Sequence, residues 1–290
     1  MIAKKLIFGA NGQLGSSLMR HLDNAIGLTR KDVDVRDFEK VREVMKKHQP
    51  DVVINTTAYH DLVECEKNPS ESFLVNCFVV KNMAEICKEL GIDFITISTD
   101  YVFGLDARRK EPYIEEDSPG PLSTYAISKL AGEYAALSSW EKTIILRTCG
   151  LYGLEGSKTR GGNFVDKRIA NAKETDSLEM SSEQTMTPTY TEDLAEVIKK
   201  LIEMPNKKYG IYNATNEGRC SWHEFTEEIY KIMGLKTKVI PSDRGGVFLG
   251  VKKPLFSVLE NKKLKNLGVE MPHWRDALRR YIEEKYGKGS

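Results

Sequence analysis

A chain of 290 residues allows one large domain or two smaller ones, and 40% hydrophobic residues are enough for a real core. The 43 lysines and arginines nearly cancel the 42 acidic residues, leaving a net charge of +1. That balance excludes the one-signed field that draws in nucleic acid or an acidic membrane surface, so a small molecule is the simpler partner.

The first half alternates strands and helices. Leu6-Ile7-Phe8 is a short apolar run before glycines and reads as a buried strand; residues 16–22 follow with helical apolar spacing. Phe38, Val41, Val44 and Met45 share one side of a charged helix over 37–48, which Pro50 ends. Asp51-Val52-Val53-Ile54-Asn55 is rich in β-branched residues, as a parallel strand covered on both faces requires. A long helix is predicted over 69–90, stopped by Gly91. Next come a strand over 94–98, a helix over 124–137 and a strand over 143–147. This alternation predicts an α/β fold, a Rossmann-type doubly wound parallel sheet over residues 1–150.

After residue 150 the rhythm changes. Residues 153–163 are rich in Gly, Ser and charge and read as a loop. A helix over 193–203, a strand at Gly210-Ile211-Tyr212-Asn213, a helix from an Ser221 N-cap through Met233 and a charged helix over 274–286 follow. Residues 151–290 are expected to form mainly a smaller α/β substrate domain over the carboxyl edge of the sheet, with some segments returning to that sheet. Trp222 and Trp274 are expected to pack within it.

Cys65, Cys77, Cys87, Cys149 and Cys220 are scattered and lack CxxC spacing, which suits free buried thiols in a reducing compartment. The histidines also lack ligand spacing, so no metal site is expected. The apolar stretch at the N-terminus is too short for a signal peptide, and no run approaches the roughly 18 apolar residues of a membrane span. A cytoplasmic protein is expected.

Two motifs carry chemistry. Gly9-Ala10-Asn11-Gly12-Gln13-Leu14-Gly15 lies between a strand and a helix, the context in which glycines let the backbone approach a pyrophosphate at a helix N-terminus. Gly9, Asn11, Gly12, Gln13, Leu14 and Gly15 are therefore candidate cofactor contacts. The GxxGxxG spacing resembles that of the short-chain dehydrogenase/reductase superfamily. Further on, Arg30 suits the 2′-phosphate of NADPH, while a solvated surface charge is its competing reading and NADH stays open.

Tyr125 and Lys129 are four residues apart, on one face of a helix. A free tyrosine titrates at about 10, and a nearby ammonium lowers that value. Tyr125 then suits a general acid that protonates the oxygen formed when hydride reaches a carbonyl, and Lys129 suits the nicotinamide ribose as well. Thr99 and Asp100, at a strand end facing the ligand crevice, complete the substrate side with Tyr125. Thr99 is placed to hydrogen-bond the reacting carbonyl.

Ser98-Thr99-Asp100-Tyr101-Val102-Phe103, Pro121 through Tyr125, Lys129-Leu130-Ala131-Gly132-Glu133 and Arg147-Thr148 resemble the dTDP-4-dehydrorhamnose reductase family, as do Asn163-Phe164, Gln184, Ser221-Trp222 and Pro254. The resemblance implies a Thr99, Tyr125 and Lys129 catalytic trio. It also implies Gly12, Gln13 and Leu14 at the pyrophosphate, Asp34 and Val35 at the adenine, and Ala58 and Tyr59 near the nicotinamide ribose. The implied reaction is reduction of the 4-keto group of dTDP-4-dehydro-6-deoxy-L-mannose by NADPH, with a dTDP-sugar as partner and a homodimer as one open assembly. Three positions depart from the family: Gly150 stands where a Trp is usual, Val63 where an acid is common, and Lys253 where Arg is usual. Another deoxysugar nucleotide reductase or epimerase, or a non-catalytic subunit like the regulatory one of methionine adenosyltransferase, are the alternatives.

Overall fold

The computed structural model describes residues 2–155, 161–243 and 245–287. Residues 156–160 of the predicted 153–163 loop lie outside the described residues. Six strands form one parallel sheet: β1 (Lys5–Phe8), β2 (Ala25–Leu28), β3 (Val52–Asn55), β4 (Asp93–Thr99), β5 (Thr143–Thr148) and the late strand Gly210–Asn213. β1 is flanked by β2 on one side and β3 on the other; β4, β5 and Gly210–Asn213 follow outward from β3. The chain therefore winds away from β1 in one direction and returns in the other. At such a switch point the segments leaving the carboxyl ends of β1 and β3 part and open a crevice.

Every residue of β1, β3 and β5 is buried, because helices cover both faces. On one face α1 (Gln13–His21) and the helix Thr191–Glu203 enclose Ile7, Leu18, Ile54, Leu146, Leu194 and Ile198. On the other, α2 (Phe38–His48) and the helices Val79–Leu90 and Thr124–Ser139 enclose Leu6, Phe8, Val41, Val53, Met83 and Phe94. Each such side chain contributes about 1.5–3 kcal/mol by leaving water. A third cluster, with Tyr152, Tyr190, Phe225, Trp274 and Tyr281 at its centre, is built mostly from residues after 150. Ser221 and Glu224 form a capping box at the start of Trp222–Ile232, as the Ser221 N-cap predicted.

The long 69–90 helix departs from the simple expectation. Pro69–Phe73 and Val79–Leu90 are α-helical, but Leu74–Phe78 between them is a π turn, and Gly91 ends the run at φ 70°. The wider turn inserts a residue and buries Asn76 toward the neighbouring helix. Thr124–Ser139 approaches so closely there that a Cβ on Gly132 would lie 2.1 Å from the Asn76 carbonyl oxygen. Not foreseen from sequence are the helix Phe164–Asn171 and the parallel pair Ser177–Ser181 with Lys238–Ser242. Neither strand has a fully buried residue, and the polar–apolar alternation of Ser177-Leu178-Glu179-Met180-Ser181 is only five residues long and is not repeated in Lys238–Ser242.

Candidate active site

The turn after β1 is shaped by two close approaches. Gly9 has φ +83°, and a Cβ there would stand 2.6 Å from Thr56 Oγ1, so the loops after β1 and β3 nearly touch. A Cβ on Gly15 would stand 2.2 Å from the Gly9 carbonyl, which lets α1 lie directly on the loop. Gly15 is buried in that packing and does not line the crevice, whereas Gly9, Asn11, Gly12, Gln13 and Leu14 do. The first turn of α1 has no side-chain cap and no acidic residue, leaving its N–H groups for an anion.

The crevice has a volume of about 980 Å³. At its first end lie Arg30, Asp34, Val35 and Arg36. Arg36 bonds Asp34 at 2.5 Å and Glu71 at 2.8 Å, and holds the Asp34 carboxyl down at about 2. Arg30 is 76% exposed and stands 3.7 Å from Asp34, so its charge is the less committed of the two. Arg36 had no signal in the sequence beyond being one more basic residue near Asp34.

Ala58, Tyr59 and His60 also line the crevice. Their backbone is held by Asn76, which accepts from Tyr59 N at 2.9 Å and donates to Tyr59 O at 2.8 Å. Asn76 also donates to Ser128 Oγ at 3.0 Å, and Ser128 donates to Tyr125 O at 2.8 Å. One buried asparagine thus ties the Tyr59 segment to the helix carrying Tyr125. Sequence reasoning missed it; its only trace was a polar residue between Val75 and Cys77 in an apolar helix.

That helix is anchored at its start. Ser123 caps it, and Thr124 donates through its backbone N and Oγ1 to Glu66 at 2.8 and 2.6 Å. Tyr125 and Lys129 then line the crevice from successive turns, with the Tyr101 ring edge-on to Tyr125 at 6.2 Å. Lys129 Nζ donates to Ile97 O at 2.6 Å. Burial brings its pKa down to about 8, and Glu133 opposes that fall. Glu133 is engaged by Arg147 at 2.6 Å and by Ser98 at 2.5 Å, all within the protein interior.

Thr99 ends β4 and lines the crevice with Asp100. Thr99 Oγ1 donates to Asp100 Oδ1 at 3.1 Å and accepts from Tyr101 N at 3.2 Å. Burial raises the Asp100 carboxyl to about 6, against hydrogen bonding from Ser257, Cys149 and Thr99. Thr99, Asp100, Tyr125 and Lys129, distant in sequence, thus meet along one wall.

Beyond them lie Gly150, Asn163, Phe164, Arg168, Gln184, Trp222 and Lys253. Gly150 has φ +53°, and a Cβ there would be 3.5 Å from the Trp222 ring. Trp222 packs on Phe164 at 4.4 Å between centroids and also lines the crevice, so it is more than a packing residue. Trp274 is fully buried in the third cluster. Among the described residues, Gln13 Oε1, Thr148 Oγ1 and Gln184 Oε1 are buried along the crevice without a partner. Buried polar atoms are normally satisfied, so these fit a polar ligand, and the glycine cradle with its uncapped helix fits a dinucleotide.

A parallel sheet with a glycine turn at its switch point, and a Tyr/Lys pair facing that turn across one crevice, defines a Rossmann-type protein of the short-chain dehydrogenase/reductase class. The family model for the RmlD substrate binding domain matches residues 3–286, and the chain belongs to this family, which includes the dTDP-4-dehydrorhamnose reductases that the 98–133 motifs resemble. The chain is 35% identical to the spore coat polysaccharide biosynthesis protein SpsK of Bacillus subtilis, over 98% of each chain. It superposes on a dTDP-4-dehydrorhamnose reductase of Clostridium acetobutylicum with a TM-score of 0.90 and 35% identity, covering 97% of this chain and 99% of that one. On the dTDP-4-dehydrorhamnose reductase of Bacillus anthracis in complex with NADP the TM-score is 0.91 at 32% identity, covering 98% and 100%. The five cysteines are buried and unbridged. Among the described residues no helix is long and apolar enough to cross a membrane.

Proposed function

We propose that this chain is an NADPH-dependent reductase that converts dTDP-4-dehydro-6-deoxy-L-mannose to dTDP-L-rhamnose. The observation that carries the reading is the convergence of Thr99, Tyr125 and Lys129 on a crevice whose other end is the glycine turn. The relatives named dTDP-4-dehydrorhamnose reductase, one of them in complex with NADP, support it.

Bound NADPH supplies hydride, which adds to C4 of the keto sugar. Tyr125 gives its phenolic proton to the O4 oxygen, so that one hydride and one proton complete the alcohol. Lys129, with a pKa of about 8, is mostly an ammonium at neutral pH and stabilises the phenolate left behind. Thr99 hydrogen-bonds the carbonyl, and Asp100 accepts from the Thr99 hydroxyl. Gly9, Asn11, Gly12, Gln13, Leu14, Asp34, Val35, Ala58 and Tyr59 hold the cofactor, with Arg30 on the 2′-phosphate. Residues 1–150 serve mainly the cofactor and 151–290 mainly the sugar. The enzyme is placed in the cytoplasm, which suits five free thiols, and its assembly is proposed as a homodimer, checked by light scattering.

Gly150 favours one second reading within the same chemistry, a different deoxysugar nucleotide. It leaves the pocket wall to Trp222, where the family resemblance puts another Trp. The test is to mix the pure protein with NADPH and the dTDP-4-keto sugar and follow the absorbance of the reduced nicotinamide. Oxidation is expected, and the Tyr125→Phe variant should lose about 10²–10⁴-fold in turnover while still binding NADPH. No oxidation with the native protein rejects the reductase reading; a fully active Tyr125→Phe rejects Tyr125 as the acid.

A further inference from the structure

Among the described residues, Arg168 and Lys253 line the crevice and form no ion pair with a carboxylate. Arg168, on Phe164–Asn171, donates from Nη1 to Met180 Sδ at 3.3 Å, and its guanidinium lies 5.1 Å from the Phe164 ring centre. Among the described residues its Nε is buried without a partner. Lys253 lies 5.4 Å from the Phe248 ring, and burial lowers its pKa with no acid opposing. Burial lowers that of Arg168 too, and only Tyr230 opposes. Glu179 also lines the crevice, and among the described residues no ion pair joins it to either cation.

Removing a cation from water without an anion is costly. The ring faces offset part of that cost, but a ring does not satisfy the buried Nε–H. A packing role alone leaves two half-buried charges in the crevice unexplained.

We propose that Arg168 and Lys253 form the anion site of the substrate half of the crevice and receive the diphosphate of the nucleotide sugar. This rests on the nucleotide-sugar reading above. With the C4 carbonyl at Thr99 and Tyr125, the diphosphate on C1 leaves from the opposite side of the sugar ring. Arg168, Lys253 and Gly150 line the same crevice as Thr99 and Tyr125, so the diphosphate has these cations within its cavity. The planar guanidinium of Arg168 offers a fork to two phosphate oxygens, and Lys253 adds a point charge.

The test uses the NADP⁺-loaded protein, so that the glycine turn is filled. Parent, Arg168→Met and Arg168→Lys are titrated calorimetrically with dTDP, thymidine and inorganic pyrophosphate. Arg168→Met should weaken dTDP and pyrophosphate on the order of 10- to 100-fold, the range of a lost charged hydrogen bond. Thymidine and NADP⁺ binding should stay at parent levels, and Arg168→Lys should recover part of the loss. Equal dTDP and pyrophosphate affinity in Arg168→Met overturns the proposal, as does an equal loss of thymidine. Pyrophosphate binding through Arg168 in a parent that ignores dTDP upholds the anion site and rejects the nucleotide-sugar reading. A parent that binds neither rejects both.

Discussion

Replacing Gly132 by alanine tests how the catalytic helix is held. In an isolated helix the change stabilises by about 1 kcal/mol, because glycine loses more backbone entropy on folding. Here the new Cβ would lie 2.1 Å from the Asn76 carbonyl oxygen, so roughly 1 Å must open between Thr124–Ser139 and the π turn. The neighbour is backbone, fixed by the Asn76 hydrogen bonds to Tyr59 and Ser128, and it has no rotamer to retreat into. Overpacking of this kind costs about 1–3 kcal/mol, and a rigid neighbour puts it in the upper part of that range. The net expectation is a destabilisation of about 1–2 kcal/mol, read as a fall in Tm of roughly 2–8 °C. The displaced helix carries Tyr125 and Lys129, and a misplacement of about 1 Å lowers rate by up to about 100-fold. Thermal unfolding and kcat/KM with the keto sugar measure the two effects. A Gly132→Ala protein with unchanged Tm and unchanged kcat/KM refutes the close approach and the positioning role of Asn76.

Three further outcomes are expected. With Lys129 titrating at about 8, turnover should fall as pH rises through that value, because the ammonium that stabilises the Tyr125 phenolate is lost; a pH–rate profile flat to pH 9 would contradict this. Stability should move the opposite way: the folded pKa lies below the ordinary lysine value of 10.5, so the contribution of Lys129 is present above the unfolded value and is lost as pH falls through about 8. Arg30→Ala should lower kcat/KM for NADPH about tenfold or more and leave NADH nearly unchanged, since Arg30 is the less neutralised cation beside Asp34; an equal effect on both cofactors would move the 2′-phosphate contact to Arg36.

Much of this protein is legible in its sequence. The apolar runs at β1, β3 and β5 and the glycine turn require only local pattern. Tyr125 and Lys129 require only helical spacing, and the Ser221 cap lies three residues from its partner Glu224. What tertiary structure alone decided involves partners remote in sequence. The π turn that buries Asn76 shows no helical-period signal, because it exists to meet Gly132 and Tyr59. Gly15 reads as a ligand glycine, yet packing on the Gly9 carbonyl takes it out of the crevice. Trp222 reads as core and is core, but the missing side chain at Gly150 also admits it to the pocket wall. Arg168 is one of many basic residues until the fold half-buries it in the crevice beside Met180 and Phe164, with no acid paired to it among the described residues. Local sequence sets which elements form and which chemistry they carry. Burial and the absence of a partner are properties of the assembled chain, because they depend on which distant segments the sheet brings together.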